Sequence, residues 1–297
     1  MQESIEFVSQ RLTCRGWLFL PDNVGPDVKL PLIVMAHGFS AVKEQILPAI
    51  AERFAASGFA AVVFDYRFFG ESDGEPRCQL LPLEQAEDYR NAISWASRHP
   101  NVDSSRIGIW GTSFSGGIVA HVARVDRRVK AVVAQVPSII NAETRQAGDP
   151  KKWEAVGKFL IQDRIDRYKT GVVQYMSVVA PDGEPCVLPG KECYDAFALL
   201  KDIAPSWENR ITVESLEKIR EFDPVSLIHL ISPTPLLVIA AENDSLIPVE
   251  AVTRAFEKAS GPKKLIKLPI GHFEIYNEDW LPEATAHAVE WYQEHLR

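Results

Sequence analysis

Short apolar runs of strand length alternate with amphipathic stretches of helix length along most of the chain. This alternation is typical of a parallel β-sheet that is covered by helices on both faces. The pattern predicts strands at residues 5–8, 15–20, 32–36, 59–64, 106–110, 129–135, 235–241 and 264–268. It predicts helices at residues 43–57, 83–97, 114–125, 249–259 and 282–296. We therefore expect an α/β fold built on one mostly parallel, twisted sheet.

The alternation stops at Pro137 and resumes at Pro235. The segment between them is rich in prolines, aromatic residues and charges, with helix-like patches but few strand signals. A loop of this length without secondary structure is rare inside a compact domain. We therefore expect residues 138–228 to form an inserted helical cap, and residues 1–137 and 229–297 to form the α/β core.

The segment from Gly108 to Gly117 reads Gly-Ile-Trp-Gly-Thr-Ser-Phe-Ser-Gly-Gly and joins a predicted strand to a predicted helix. This is the setting of a nucleophile elbow, in which a sharp turn presents a serine above the sheet. The turn needs small residues two positions on either side of the serine, and Gly111 and Ser115 satisfy that need. We predict that Ser113 is the nucleophile and that Ser115, one turn into the helix, is structural.

A second candidate segment, residues 32–40, is an apolar strand that ends in His37, Gly38 and Phe39. Backbone amides that follow such an early strand contribute to an oxyanion hole in this architecture. The two predicted donors are the N–H groups of Phe39 and of Phe114, the residue after the nucleophile. Gly38 allows a close approach of the backbone to a substrate. We expect His37 to support the loop rather than to transfer protons.

Candidates for the acid and the base follow two later strands. Asp244 and Glu242 both lie just past the strand at residues 235–241, and His272 follows Gly271 after the next strand. We prefer Asp244 because it lies deeper in the loop, and Glu242 is the alternative. The resulting order of serine, aspartate and histidine is that of the α/β hydrolases. The other histidines do not have metal-ligand spacing, so we expect neither a metal nor another cofactor.

Several motifs identify a resemblance to a known family. They are Met-Ala-His-Gly-Phe-Ser-Ala-Val-Lys-Glu at 35–44, Phe-Asp-Tyr-Arg-Phe-Phe-Gly-Glu-Ser-Asp-Gly-Glu-Pro at 64–76 and Trp-Gly-Thr-Ser-Phe-Ser-Gly-Gly at 110–117. Over nearly its whole length the chain resembles α/β-hydrolases of the dienelactone-hydrolase and Xaa-Pro-peptidase-like group. It is most similar to a branch that includes fungal polyketide acyltransferases and thiohydrolases. The resemblance implies the α/β-hydrolase fold with an inserted helical cap.

The residue at the nucleophile position argues against some activities of that fold. Dienelactone hydrolases proper have a cysteine where this chain has Ser113, and epoxide hydrolases and dehalogenases need an aspartate there. The 64–76 motif also contains Asp65 and Arg67, which either contact substrate or form a buried ion pair or loop brace. We expect the brace. In the cap, Trp153 and Trp207 are our candidates for the substrate pocket, with Phe159, Tyr168 and Tyr175 as further aromatic residues.

The charge and composition of the chain indicate which classes of partner and which compartment to expect. The formal net charge of −8 and a pI near 5.5 do not suggest a nucleic-acid partner. No apolar run is long enough to span a bilayer. The four cysteines lack zinc-ligand spacing, so we expect free thiols in a reducing compartment, although Cys186 and Cys193 are near enough in sequence to approach one another. We expect a cytoplasmic protein that acts on a small molecule, as a monomer or a homodimer.

These observations together favour a serine hydrolase that cleaves a carboxylic ester or thioester of a small, fairly apolar acyl group. Three alternatives remain at this point. The first is an acyltransferase in which an alcohol replaces water, and the second is a proline-type exopeptidase. The third is a hydrolase-fold binding protein, although such proteins commonly lack part of the constellation found here.

Overall fold

The computed structural model describes all residues from 1 to 297. Eight strands form one sheet in the order β1-β2-β4-β3-β5-β6-β9-β10, and β7 pairs only with β8. The contacts of β2 with β1 and β4 are antiparallel, and the other pairings in the main sheet are parallel. The ten strands are β1 (Gln2–Ser9), β2 (Leu12–Phe19), β3 (Leu30–Ala36), β4 (Ala60–Phe64), β5 (Val102–Thr112), β6 (Val129–Gln135), β7 (Tyr175–Met176), β8 (Ile211–Thr212), β9 (Leu236–Ala241) and β10 (Lys263–Leu268).

Helices cover both faces of the sheet, as the alternating pattern predicts. Along β3, Leu32 and Val34 belong to one buried apolar cluster while Ile33 and Met35 belong to another, because successive side chains point to opposite faces. The nine helices are α1 (Leu47–Ala56), α2 (Pro82–Ala96), α3 (Phe114–Val125), α4 (Ala142–Gly148), α5 (Pro150–Thr170), α6 (Lys191–Lys201), α7 (Val213–Glu221), α8 (Val249–Lys258) and α9 (Leu281–His295). The predicted α/β fold, a mostly parallel sheet flanked by helices, is confirmed.

Several strands extend beyond their predicted bounds, and the helix boundary that differs most from the prediction is the start of α1. The sequence pattern predicts that α1 begins at residue 43, but the helix begins at Leu47, with Pro48 in its first turn. The preceding residues form a loop in which the N–H of Val42 donates to Gln45 Oε1 at 3.2 Å. Lys43 is buried and makes ion pairs described below, so it is unavailable to a solvent-facing helix turn. The apolar periodicity does not show that Lys43 is buried in ion pairs rather than exposed on a helix.

The segment 138–228 contributes four helices, α4 to α7, and the short ribbon of β7 and β8. It adds no strand to the main sheet. Its longest helix, α5, buries only Leu160 and Asp163, so this helix lies mostly at the surface. The helical character agrees with the expectation from the sequence, and the division into a core and a cap stays a prediction about function.

Among the hydrogen bonds that attach this insertion to loops of the core, three come from different parts of the insertion. Trp207 Nε1 donates to Ser40 O at 2.9 Å, beside the predicted oxyanion loop. The Oγ of Ser215 accepts from the N–H of Leu80 at 2.8 Å. The third bond joins Ser245 Oγ to Glu192 Oε2 at 2.6 Å, next to the predicted acid. The insertion is therefore held on two sides of the site described below.

A buried ion pair connects the loop after β3 with the loop after β4. Lys43 Nζ lies 2.9 Å from Asp65 Oδ2 and 2.6 Å from Glu71 Oε2, and the N–H groups of Lys43 and Glu71 both donate to the Asp65 carboxylate. Burial opposes the charge on Lys43, but the adjacent Asp65 carboxylate and the hydrogen bond that Lys43 donates to Glu71 outweigh this effect and raise the pKa of the lysine. Asp65 is thus a brace between two loops.

Arg67 braces a different pair of elements. Its Nε lies 2.6 Å from Asp88 Oδ1 on α2, and its Nη1 lies 3.0 Å from Glu84 Oε2. Arg67 and Asp88 are both buried. The expected brace around Asp65 and Arg67 therefore exists, but each residue pairs with a different partner and they do not pair with one another.

We predict that Asp65→Asn lowers the free energy of unfolding by about 3–5 kcal/mol. The substitution removes the buried carboxylate that pairs with Lys43, so the buried positive charge keeps only its contact with Glu71. The measurement is urea unfolding, with the midpoint compared at unchanged slope. The matched control is Glu154→Gln in the exposed pair of Glu154 with Lys158, which should leave the midpoint within experimental error. A loss below about 1 kcal/mol in Asp65→Asn would show that the pair does not brace the loops.

Candidate active site

Ser113 stands between β5 and α3 with a φ of 53° and a ψ of −121°. Few residues with a side chain adopt positive φ, and such a conformation costs about 1–3 kcal/mol. Small neighbours make the turn feasible: a Cβ atom at Gly111 would collide with the backbone of Ser115, and one at Gly116 would lie 2.5 Å from Pro137 Cβ. The geometry is that of a nucleophile elbow.

A chain of hydrogen bonds runs from Ser113 to Asp244. Ser113 Oγ lies 3.0 Å from His272 Nε2, and His272 Nδ1 lies 2.7 Å from Asp244 Oδ2. The other oxygen of Asp244 accepts from the N–H groups of Leu246 and Ile247, each at 2.8 Å. Because the carboxylate can only accept, we assign the Nδ1–H tautomer to His272. Its Nε2 is then free to take the proton of the serine hydroxyl.

The competing acid does not reach the histidine. Glu242 is exposed, and its backbone N–H donates to Leu268 O in the next strand at 2.8 Å. The side chain of Asp244 is only 3% exposed, and it is the carboxylate in contact with His272. Of the two candidates from the sequence, the fold brings only Asp244 to the imidazole.

The N–H groups of Phe39 and Phe114 are available as oxyanion donors. Neither takes part in a backbone hydrogen bond of the loops and turns, and Phe114 occupies the first position of α3, where an N–H lacks an intrahelical acceptor. The two phenyl rings lie edge to face with their centroids 6.3 Å apart, which ties the two predicted donor segments together.

Two cavities meet at Ser113. The larger has a volume of about 390 Å³, and 13 of its 18 lining residues are hydrophobic. The smaller has a volume of about 50 Å³ and is lined by both Ser113 and His272. Phe39, Leu188 and Leu246 line both. A still larger cavity of about 680 Å³ lies around His121 and Phe222, but neither Ser113 nor His272 lines it. The candidate active site therefore comprises the two cavities at Ser113.

Comparison with known proteins agrees with this geometry. The X-Pro dipeptidyl-peptidase (S15) family matches residues 17–163. The quorum-quenching protein AidA of Acinetobacter baumannii (strain MDR-ZJ06) is 32% identical over 92% of this chain and 88% of its own length. The chain belongs to the α/β-hydrolase family.

Two fungal relatives extend this result. The thiohydrolase aneE of Aspergillus aculeatus is 30% identical over 88% of this hydrolase and 83% of its own length. The polyketide transferase grgF of Penicillium sp is 31% identical over 89% and 86% of the two chains. The crystal structure of the α/β hydrolase GrgF from Penicillium sp. sh18 has a TM-score of 0.85 and covers 100% of this chain and 99% of that one at 29% identity. The chain is an enzyme of the esterase and thioesterase type.

The hydrolase departs from the usual elbow at Ser115, where a second glycine is common. Ser115 is fully buried, and its Oγ lies 2.9 Å from the hydroxyls of both Tyr66 and Tyr89. Tyr89 also donates to Trp110 O at 2.8 Å. Burial raises the pKa values of both tyrosines, so they remain neutral partners. The sequence pattern does not predict this network, although Tyr66 lies within the 64–76 motif.

His37 is hydrogen-bonded within the predicted oxyanion loop. Its Nδ1 lies 3.0 Å from Gly38 O and must donate, while its Nε2 accepts from the N–H of Tyr66 at 3.5 Å. The imidazole is thus neutral, and burial lowers its pKa from 6.5 to about 3. Asp65 lies 4.0 Å from Nε2, but that carboxylate is already paired with Lys43. His37 does not line either cavity at Ser113, which agrees with the supporting role expected from the sequence.

The two tryptophans predicted for the substrate pocket lie elsewhere. Trp153 stacks under the guanidinium of Arg220, whose carbon lies 3.5 Å from the ring centroid. Trp207 stacks on Phe197 and donates to Ser40 O. Neither tryptophan lines the cavities at Ser113, where Phe39, Phe114 and Phe159 supply the aromatic rings of the larger cavity. Each tryptophan instead contacts a residue that lines one of the two cavities, Arg220 for Trp153 and Phe197 for Trp207.

Other features of the chain bear on cofactors and compartment. No group of three or more His, Cys, Asp or Glu side chains is arranged to hold a metal ion. None of the helices combines the length and the apolar character that crossing a bilayer requires. All four cysteines are free, so Cys186 and Cys193 do not form a disulfide.

We predict that Asp244→Asn lowers kcat on p-nitrophenyl acetate by about 10⁴-fold, because an asparagine stabilises the wrong imidazole tautomer. Glu242→Gln is the matched control at the neighbouring loop position and should retain activity. The measurement is steady-state kinetics of both variants beside a check of folding by circular dichroism. Equal losses in the two variants would contradict the assignment of the acid.

We predict that His37 makes the hydrolase less stable as pH falls below 6.5. The unfolded state then binds a proton that the folded state excludes down to a pH of about 3. Stability that is present above pH 6.5 is therefore lost progressively, by on the order of 4 kcal/mol over this range. Urea unfolding at pH 7, 6, 5 and 4 measures the slope. His37→Gln should flatten it, whereas His229→Gln, at an exposed position, should not; equal slopes in wild type and His37→Gln refute the prediction.

Proposed function

We propose that Ser113, Asp244 and His272 form a catalytic triad that hydrolyses a carboxylic ester or thioester of a small, fairly apolar acyl group. The observation that carries this proposal is the unbroken hydrogen-bonded path from Ser113 Oγ through His272 to Asp244. The positive φ of Ser113 and the apolar cavity beside it give further support.

The mechanism follows from the roles that these groups can fill. His272 Nε2 takes the proton of the Ser113 hydroxyl as Oγ attacks the acyl carbon, and the N–H groups of Phe39 and Phe114 donate to the oxyanion. When the tetrahedral intermediate collapses, the imidazolium returns its proton to the departing oxygen or sulfur. Water, activated by the same imidazole, then attacks the acyl-enzyme and releases the acid. Asp244 stabilises the imidazolium throughout.

The insertion at residues 138–228 acts in this proposal as a cap that shapes the acyl pocket. It supplies much of the lining of the larger cavity, including Val156, Phe159 and Leu188. An apolar cover excludes water and strengthens the electrostatic interactions of the triad beneath it. The core, formed by residues 1–137 and 229–297, supplies the reacting groups.

Acyl transfer is the second candidate function, and the apolar lining is the observation that favours it. A pocket that excludes water favours attack on the acyl-enzyme by a bound alcohol. The similarity to the polyketide transferase grgF supports this alternative.

Peptidase activity receives less support. The match to the X-Pro dipeptidyl-peptidase family covers residues 17–163. A dipeptidyl-peptidase needs a carboxylate for the free amino terminus of its substrate, and neither an aspartate nor a glutamate lines the cavities at Ser113.

The complete hydrogen-bonded path from Ser113 to Asp244 argues against a binding protein without catalysis. The four free cysteines support the proposed cytoplasmic location.

We predict that the protein cleaves p-nitrophenyl esters and acyl thioesters and that Ser113→Ala lowers kcat by about 10⁴-fold or more. A panel of p-nitrophenyl acetate to octanoate, matching N-acetylcysteamine thioesters and aminoacyl-anilides, run with and without added alcohols, separates hydrolysis, acyl transfer and peptidase activity. A fluorophosphonate probe should label Ser113.

Ser115→Ala is the matched control because it lies two residues away and its hydroxyl is buried. It should still be labelled at Ser113, while its melting temperature falls through the lost bonds to Tyr66 and Tyr89. Labelling at Ser115, or full activity in Ser113→Ala, refutes the proposed nucleophile. Faster turnover of aminoacyl-anilides than of any ester would replace the esterase assignment with a peptidase.

A further inference from the structure

The larger cavity at Ser113 carries a positive charge. Arg145, Lys152 and Arg220 are among its lining residues, and an aspartate or glutamate is not. The whole chain, by contrast, has a formal net charge of −8. An apolar cavity with only cationic groups attracts an anion, because low-dielectric walls concentrate the field of the charges.

Arg145 is linked to Ser113 by two hydrogen bonds through Ser138. Its Nη2 donates to Ser138 Oγ at 3.2 Å, and the N–H of Ser138 donates to Ser113 O at 2.7 Å. The guanidinium makes only this one hydrogen bond and has no carboxylate within 4.0 Å, although a guanidinium carries five N–H donors. Burial lowers the pKa of Arg145, since nothing nearby offsets the cost of its charge. Several of its donors therefore remain free for a ligand.

Arg220 approaches the same cavity from α7. Its Nη1 donates to Trp153 O at 3.1 Å, and its guanidinium lies over the Trp153 ring. These contacts fix the orientation of the guanidinium but do not neutralise it, and it too has no carboxylate within 4.0 Å. A planar guanidinium held in one orientation is well suited to bind a carboxylate through two parallel hydrogen bonds.

The position of His272 indicates which part of a substrate enters this cavity. His272 lines the smaller cavity and not the larger one. Because the imidazole must protonate the leaving group, the leaving group departs on the side of the smaller cavity. The larger cavity is then left for the acyl group, whose apolar part contacts Val156 and Ile219.

We propose that the acyl substrate bears a carboxylate at the end remote from the scissile bond, and that Arg145 and Arg220 bind it. This inference rests on the proposed function, since it concerns the acyl group that Ser113 receives. The substrate class is therefore the half-esters or half-thioesters of dicarboxylic acids. Lys152, exposed at the rim, adds to the attraction without a fixed contact.

The test compares two substrates that differ only in this charge, mono-p-nitrophenyl adipate and methyl p-nitrophenyl adipate. In the wild type, kcat/KM for the acid should be about 10- to 100-fold higher than kcat/KM for the methyl ester. This ratio corresponds to the free energy of one charge-assisted hydrogen bond. Arg145→Gln and Arg220→Gln should each reduce this ratio by about 10-fold, and Arg145→Lys should restore part of it.

Arg124→Gln is the matched control, because Arg124 is a half-buried arginine without a carboxylate partner that lines the separate cavity around His121. This variant should retain the wild-type ratio. A wild-type ratio near one, or equal losses in all three glutamine variants, overturns the proposal.

Two further experiments distinguish the proposed carboxylate site from the proposed hydrolysis and from an anion-binding site for the leaving group. Ser113→Ala, titrated by calorimetry with monomethyl and dimethyl adipate, measures binding without turnover. Preference for the monoester supports the carboxylate site even if no ester is hydrolysed, and equal binding refutes it even if esters are hydrolysed. In the second arm, butyryl thioesters of phosphopantetheine and of N-acetylcysteamine are compared. If the arginine variants reduce only the preference for the phosphorylated thiol, the anion belongs to the leaving group and the proposal is overturned.

Discussion

The strained turn at Ser113 is the constraint on which the rest of the site depends. A serine at a φ of 53° persists only where its surroundings leave no relaxed alternative. Its N–H donates to Gln135 O in β6, and its carbonyl accepts from the N–H groups of Gly116 and Ser138. Backbone hydrogen bonds on both sides thus fix the turn between two parallel strands and the start of α3. Since the sheet maintains the strained turn, Oγ faces the cavity without any movement of residues 138–228.

A second layer of buried polar groups supports this turn from below. Ser115 joins the turn to Tyr66 and Tyr89, and His37 joins the oxyanion loop to the same tyrosine-bearing segment. Each buried hydroxyl in this layer finds a partner, so the layer adds rigidity without the cost of unsatisfied groups. The three motifs that mark the family are therefore three loops bonded to one another around Ser113.

The sequence predicts those parts of the structure in which local pattern and global fold agree. Strands of β-branched residues, the small residues around Ser113 and the order of the triad residues are all local signals that the sheet topology then brings together. The pairing of Asp65 with Lys43 is not predictable in this way, because it joins residues of different loops through a buried charge. Trp153 shows the same limit: composition marks it as a pocket aromatic, but its contact with Arg220 places it one layer behind the cavity. Contacts between side chains of the insertion depend on helix packing, which leaves little trace in a single sequence.

In the proposed function, chemistry and recognition lie on different parts of the chain. Ser113, Asp244 and His272 come from loops of the sheet, whereas Arg145, Lys152 and Arg220 come from helices of the insertion. A change in the insertion can therefore alter the acyl group that is accepted while the reacting groups keep their geometry. The two parts are nevertheless bonded beside the oxyanion loop through Trp207 and beside the acid through Glu192. These bonds attach the insertion to loops on two sides of Ser113. A shift of the insertion would misplace the acyl group relative to Ser113 Oγ, and a misplacement of about 1 Å is sufficient to slow the attack.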